Sequence, residues 1–407
     1  IRVMKKAVMY GAGNIGRGFL GALFSQSVYS VSFIDIAKPV VNGLNEAHSY
    51  PLRLVSGDQK EDYTIKNVSA VDGMDVPAVA EAIATCDIMA TAVGVRILEL
   101  IVPNIVAGIR RRWEIGGPAL NIIICENLNN SSRIMEGMIK SLLNPEEVAR
   151  FDETVGLVEA SVGRMVPIQT EEMRDGDPLR VCTEHYAFLP VDKAAFKGEI
   201  PEIKGMVPFE PFDFFVKRKL FIHNMGHATT AYLGKILGVG YISQSIDNPY
   251  VRIIVQNAML ESARTLSKHY GVDLEWLTEH VSDLLFRFAN AALKDTCVRV
   301  GADPARKLAA EDRLVGAMRL ALTESVDVTF MAVGAAAAMW SYLGENGMTQ
   351  AMDSCRRNLC ALSGLSEGSE IVGLVLEFYR IILDTRSVAE LCHAAERKKA
   401  VSRMCVI

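Results

Sequence analysis

A lysine, an amide and an imidazole fall within nine residues in the segment Lys219-Leu220-Phe221-Ile222-His223-Asn224-Met225-Gly226-His227, a stretch that otherwise reads as a buried helix. At about 100° per residue, Lys219, His227 and Asn224 lie at roughly 0°, 80° and 140° around the axis, so all three can face one pocket. A lysine in an apolar wall loses hydration, which disfavours its charged form and suits it to take a proton from an alcohol. Asn224 can donate to an oxygen on which negative charge grows. The same spacing also fits a snorkelling surface lysine beside two satisfied polar residues. His223, near 40° on the same arc, rivals His227.

A second constellation lies at the start of the chain. Gly11-Ala12-Gly13-Asn14-Ile15-Gly16 follows the apolar strand Lys6 to Tyr10 and opens a helix from about Ile15 to Ser25. Glycines at those positions allow a tight turn and close backbone approach, so that a pyrophosphate can rest on the helix N-terminus. Asp35 ends the next strand, 19 residues beyond Gly16, near the spacing of a ribose-binding acid. A carboxylate there accepts from the 2′- and 3′-hydroxyls and repels a 2′-phosphate. Ile36-Ala37 offers no arginine, which favours NAD over NADP, with Lys38 the one residue that softens the preference. Thr91-Ala92-Val93-Gly94 closes a later strand; Val93 and Gly94 either line the nicotinamide side or form a plain strand-to-helix turn.

These residues need elements to hold them. Up to about residue 200, β-branched runs alternate with helical patterns, which predicts a parallel sheet covered by helices. The expected strands are Lys6–Tyr10, Val31–Asp35, Ile88–Val93, Asn121–Cys125, Thr154–Val162 and Arg180–Phe188. From Phe212 the pattern is helical, with long helices expected over Val251–Tyr270, Leu274–Ala292, Arg313–Trp340 and Ile371–Leu383, and no strand after about residue 200. The fold class is therefore α/β: a Rossmann-type dinucleotide-binding domain over residues 1–198, then a mostly α-helical substrate and catalytic domain over 199–407. The tail from Ala395 to Ile407 reads as a helix end or a frayed terminus.

The composition narrows the partners. Of 407 residues, 50% are hydrophobic and 22% charged, and the net charge of −5 gives no general attraction to nucleic acid or anionic membrane. Eight scattered cysteines show no CxxC pair and no His–Cys cluster, so reduced thiols in the cytoplasm are expected and no metal site. Met4 reads as the start, and a strand follows at once, which leaves no signal peptide. The Ala-rich run Phe330 to Trp340 is too short to span a bilayer.

With a dinucleotide fold in front and the Lys219/Asn224/His227 helix behind, the chain resembles the long-chain polyol (mannitol) dehydrogenase family over about Lys5 to Leu383. The carrying residues are Gly11 to Phe19, Thr91 to Gly94, Asn121 to Asn127, Arg218 to Phe221 with Asn224 and Gly226-His227, Arg287-Phe288 with Asn290, and Arg299-Val300-Gly301. Pro304, Arg306-Lys307-Leu308 and Asp312-Arg313-Leu314 complete the set and favour the phosphate-using branch. The resemblance implies metal-independent hydride transfer between mannitol 1-phosphate and fructose 6-phosphate. It makes Lys219 the acid/base, has Asn127 and Asn224 hold the reacting oxygen, and selects His227 to position the substrate. Arg299 and Lys307, with Arg306 beside them, would bind hydroxyls and a phosphate. It also leans toward a monomer, with a dimer the alternative.

Two departures bear on substrate choice. Where relatives read Asp-Arg-Ile, this chain has Gly163-Arg164-Met165, and Val216-Lys217 stand where many relatives place a carboxylate just before the lysine. A fructuronate or tagaturonate reductase, or a dehydrogenase of free polyols, would use the same chemistry. A non-catalytic NAD-binding regulator would be expected to have lost the lysine.

Overall fold

The computed structural model describes residues 3–405, and the chain divides into two compact units, Ile1–Asp213 and Phe214–Ile407. The residues ahead of Val3 and the last two of the tail lie outside the described residues.

The first unit is built on a six-stranded, all-parallel sheet. Its spatial order is Val68–Asp72, Tyr29–Asp35, Lys5–Tyr10, Ile88–Thr91, Leu120–Ile124, Val155–Glu159. This 3-2-1-4-5-6 order is the dinucleotide-binding arrangement, with its topological switch point beside the first strand. Successive side chains of a strand point to opposite faces, and both faces here are apolar. Ala7 and Met9 join one core with Phe19, Phe24 and Phe33; Val8 and Tyr10 join the other with Ile83, Leu98 and Ile105. Helices therefore cover both sides, which is what all-parallel sheets require.

Three expectations change. A hairpin, Ser49–Ser56 with Gln59–Lys66, adds a small second sheet together with Val181–Thr183. Its outer strand is polar and exposed, so hydrophobic alternation does not betray it. Arg180–Phe188 is a strand only over Val181–Thr183, because the Arg164 side chain claims the carbonyls of Tyr186 (2.7 Å) and His185, and Glu184 accepts from Met165 N–H. Met206–Phe209 is a strand, parallel to Leu189–Asp192. That pairing ties the segment after residue 198 to the first unit, and the division falls at Asp213/Phe214 rather than at 198/199.

The second unit is helical. Its centre is Thr329–Glu345, buried along most of its length and packed against Met225–Leu237, Pro249–Tyr270 and Glu370–Thr385. Small side chains such as Ala335 to Ala338 let these axes approach. The single helix expected over Arg313–Trp340 is two, Val315–Thr323 and Thr329–Glu345. Ser325 turns left-handed (φ 54°), and Val326 N–H bonds back to Ala321 O, ending the first helix. The tail forms the helix Val388–Met404. Within it Lys399 is buried, its ammonium 3.3 Å from Glu261 Oε1. Among the described residues, no helix is long and apolar enough to cross a membrane, and no three His, Cys, Asp or Glu side chains cluster as a metal site would need.

Candidate active site

In the first unit the glycine turn is fixed by contacts that exclude side chains. Gly11 has φ +102°, and a Cβ there would stand 2.3 Å from Ala92 O. A Cβ on Gly16 would stand 2.0 Å from Gly11 O. Gly13 differs: a Cβ there meets nothing within 4 Å. The first and third glycines thus close the turn, and the second leaves a bare backbone edge with Asn14 exposed and Ile15 half-buried beside it. That is a cradle fitted to a pyrophosphate. Just beyond Asn14 and Ile15, Gly16–Leu20 winds as a π-helical turn, with Gly21 N–H bonded to Gly16 O.

Asp35 sits at the end of the second strand and faces this turn. Its Oδ2 accepts from Ala12 N–H (2.8 Å) and its Oδ1 from Ala37 N–H (2.9 Å). A carboxylate has about four acceptor sites, so lone pairs remain for ribose hydroxyls. Lys38, exposed, begins the following helix. Arg17, buried, donates to Ala12 O (2.7 Å) and to Leu179 O, locking the turn from behind. Desolvation dominates there and lowers its pKa.

Glu126 escaped the sequence reading. Its buried carboxylate accepts from Val93 N–H and Gly94 N–H, each at 2.9 Å, and so sets the path of the Thr91–Gly94 turn from the neighbouring strand end. Asn127, next in sequence, is exposed at the carboxyl edge of the sheet. Arg164 donates to Gly18 O (2.7 Å) and lies 5.1 Å over the Phe19 ring. A Cβ at Gly163 would stand 3.3 Å from the Tyr186 ring, so a larger residue there would press on that ring.

In the second unit Lys219–Asn224 is a π-helical turn between the helices Asp213–Arg218 and Met225–Leu237, with Met225 N–H bonded to Leu220 O. In such a turn the fifth residue closes the loop, not the fourth, and π turns are frequent at functional sites. Asn224 is the fifth residue after Lys219. A turn closed at the fifth residue puts the two backbone positions on one face, closer in azimuth than in the uniform α-helix expected from sequence. Lys219, Asn224 and His227 are each half-buried.

The imidazoles separate by burial. His223 is enclosed, and its pKa is driven well below the ordinary value by desolvation first and then by Arg287, His227, His280 and Lys219, so it stays neutral. His280 is likewise lowered by burial and by Arg218, whose Nη2 donates to Nδ1 at 2.7 Å. His227 stacks on Phe288, ring centroids 4.9 Å apart and planes 5° from parallel. Its Nε2 lies 3.1 Å from Asp295 Oδ2, within ion-pair range but off the line of a hydrogen bond. Asp295 Oδ1 accepts from Arg299 Nε at 2.8 Å.

The three substrate-end residues fare differently. Arg299 and Arg306 are exposed, the latter with its Nε 3.0 Å from Asp303 Oδ2. Lys307 is buried: its ammonium donates to Val300 O (2.7 Å) and Ala302 O, capping the short helix Cys297–Val300. Burial, then Arg313 and Arg306, bring it down to about 8. It supports the turn that carries Arg299. Asp295 was missed as well, although its place four residues before Arg299 is a spacing at which acid–base pairs meet on a helix.

A parallel 3-2-1-4-5-6 sheet with a glycine cradle, followed by a helical unit bearing lysine, asparagine and histidine on one helix, defines a two-domain dehydrogenase class. The Rossmann-domain model of the mannitol dehydrogenase family matches residues 5–205, and the model of its C-terminal domain matches residues 212–394. The chain belongs to the mannitol dehydrogenase family of polyol oxidoreductases. Among solved structures, mannitol 2-dehydrogenase of Pseudomonas fluorescens, in a ternary complex with NAD and D-mannitol, is similar at 17% identity and a TM-score of 0.74, over 98% of this chain and 95% of that one. A substrate-free D-sorbitol dehydrogenase is similar at 15% identity and a TM-score of 0.77, over 95% and 94%. At these identities the likeness is one of fold.

Proposed function

We propose that this chain is an NAD-dependent oxidoreductase interconverting mannitol 1-phosphate and fructose 6-phosphate, as a mannitol-1-phosphate 5-dehydrogenase does, without a metal ion. The observation that supports the reading is the second unit's helix, where a π turn spans Lys219 to Asn224 and His227 follows one helical turn on, held between Phe288 and Asp295. The bare edge at Gly13 and the carboxylate of Asp35 would hold NAD, which would supply the hydride acceptor. Lys219 takes the hydroxyl proton as the carbinol is oxidised and returns it in reduction. Asn224 donates to the oxygen while alkoxide character grows, and the family resemblance assigns Asn127 to the same task. His227 orients the hydroxyl. Arg299 and Arg306 present exposed guanidinium groups suited to a phosphate dianion.

One observation favours a second reading, a dehydrogenase of free polyols. Lys307 spends its ammonium on two backbone carbonyls, which leaves two of the three expected cations for a phosphate. Both readings are tested by NADH oxidation with fructose 6-phosphate, fructose, fructuronate and tagaturonate, with NADPH in parallel. Turnover of another ketose and none of fructose 6-phosphate sinks the phosphate reading. Lys219→Ala should lose at least a thousandfold in kcat with NADH binding retained; unchanged turnover removes Lys219 from the chemistry.

A further inference from the structure

Helix Met225–Leu237 carries His227 near its start and ends at Gly238. The segment around Asp295 is pinned to the chain just beyond that end. Ile242 N–H bonds to Asp295 O (2.9 Å), Tyr241 bridges Thr296 in antiparallel fashion, and Cys297 N–H bonds to Gly240 O (2.9 Å). Thr296 then caps the short helix Cys297–Val300 by accepting from Arg299 N–H. The Asp295 backbone is thus fixed on both sides, and its side chain is only 12% exposed.

Its two oxygens are divided between partners. Oδ2 faces His227 Nε2 at 3.1 Å, and Oδ1 accepts from Arg299 Nε at 2.8 Å and from Nη2. Burial alone pushes this carboxyl up, but His227 and Arg299 together hold it below its ordinary range. Although Oδ2 lies off the line of a hydrogen bond, the charge of an ionised carboxylate at 3.1 Å from Nε2 favours the tautomer with the proton there, which leaves Nδ1 as the ring's acceptor. The same carboxylate occupies one edge of the Arg299 guanidinium, so the remaining donors are presented in one orientation rather than swept by a free side chain.

We propose that Asp295 is a positioning residue that sets both the tautomer of His227 and the direction of Arg299, and so couples the hydroxyl-binding and anion-binding ends of the substrate site. This rests on the reading of His227 and Arg299 as substrate contacts given above.

The full chain, labelled with 15N-histidine, tests the first half by NMR. The His227 ring resonances, assigned by their loss in His227→Ala, should show the Nε2–H tautomer; an Nδ1–H ring overturns the proposal, and this readout needs no Asp295 variant to fold. The second half is a double-mutant cycle of Asp295→Asn with Arg299→Ala, read on whichever of the four ketoses the wild type reduces. Asp295→Asn should raise KM at least tenfold and lower kcat, with the Kd for NADH within twofold of wild type. In the double variant KM should rise by less than the product of the two single rises, because Asp295 acts in part through Arg299, and should stay above that of Arg299→Ala alone by the share that acts through His227. Additive effects, a KM unchanged in Asp295→Asn, or an equal loss of NADH binding overturn it. Activity with fructose and none with fructose 6-phosphate would sink the phosphate reading alone, and the cycle is then read with fructose.

Discussion

Replacing each glycine of the first turn by alanine should separate folding from cofactor binding. At Gly13 the added methyl meets nothing within 4 Å, and the backbone lies outside the left-handed region. Gly13→Ala should therefore leave stability unchanged or raise it by about 0.4–1 kcal/mol, through the less flexible unfolded chain. Its methyl would, however, project where the pyrophosphate approaches, and NADH affinity should fall at least tenfold, about 1.4 kcal/mol. Gly16→Ala behaves oppositely in origin. Its Cβ would lie 2.0 Å from Gly11 O and 3.0 Å from Gly11 C, a clash with backbone that cannot rotate away, so a loss of at least about 1–3 kcal/mol is expected. Urea unfolding and titration of NADH fluorescence on both variants measure the two quantities separately. If Gly13→Ala binds NADH as tightly as wild type, the pyrophosphate does not rest on that edge. If Gly16→Ala is as stable as Gly13→Ala, the packing argument for the turn fails.

Two further predictions concern buried carboxylates. Glu261 is fully enclosed, and burial lifts it from 4.5 to about 7 against the pull of Lys399 and the amides of Phe330 and Met331. A raised carboxyl pKa in the folded state favours folding fully below pH 4.5, and that contribution is lost as the pH climbs to about 7. The amount is about 3 kcal/mol. In urea titrations from pH 5 to pH 8, wild type should therefore lose stability relative to Glu261→Gln, and a difference constant with pH would refute the argument. Glu126→Ala removes the acceptor for Val93 N–H and Gly94 N–H, at a cost of about 2 kcal/mol for two charge-assisted bonds at a partly exposed turn. NADH affinity should fall with it, and a variant with wild-type stability would show that the turn holds itself.

The cofactor half of the fold was legible because its signals are local. The glycine spacing, Asp35 at a strand end and the β-branched runs each act within one βαβ unit, and the parallel sheet follows from their alternation. The hairpin Ser49–Lys66 was not legible, because its exposed strand gains nothing from an apolar face. The strand Met206–Phe209 was missed for a related reason: its four residues pair with Leu189–Asp192, and no periodicity can emerge over so short a length. The break at Ser325 depends on a left-handed residue that carries no glycine or proline to mark it.

At the candidate site the division is sharper. The sequence by itself determined which residue types stand together: Lys219, Asn224 and His227 in one helical stretch, and a glycine turn followed by Asp35 at a strand end. It could not set their azimuths, because the π turn from Lys219 to Asn224 is a feature of the packed helix and not of residue preference. Nor could it separate two neighbouring cations. Arg299 points outward from a buried carboxylate, while Lys307, eight residues later, turns inward to carbonyls. Which oxygen a cation finds depends on where distant backbone returns, and only the tertiary structure decides that. Asp295 is the clearest case, an ordinary aspartate in sequence that the bridge between Tyr241 and Thr296 sets beside His227.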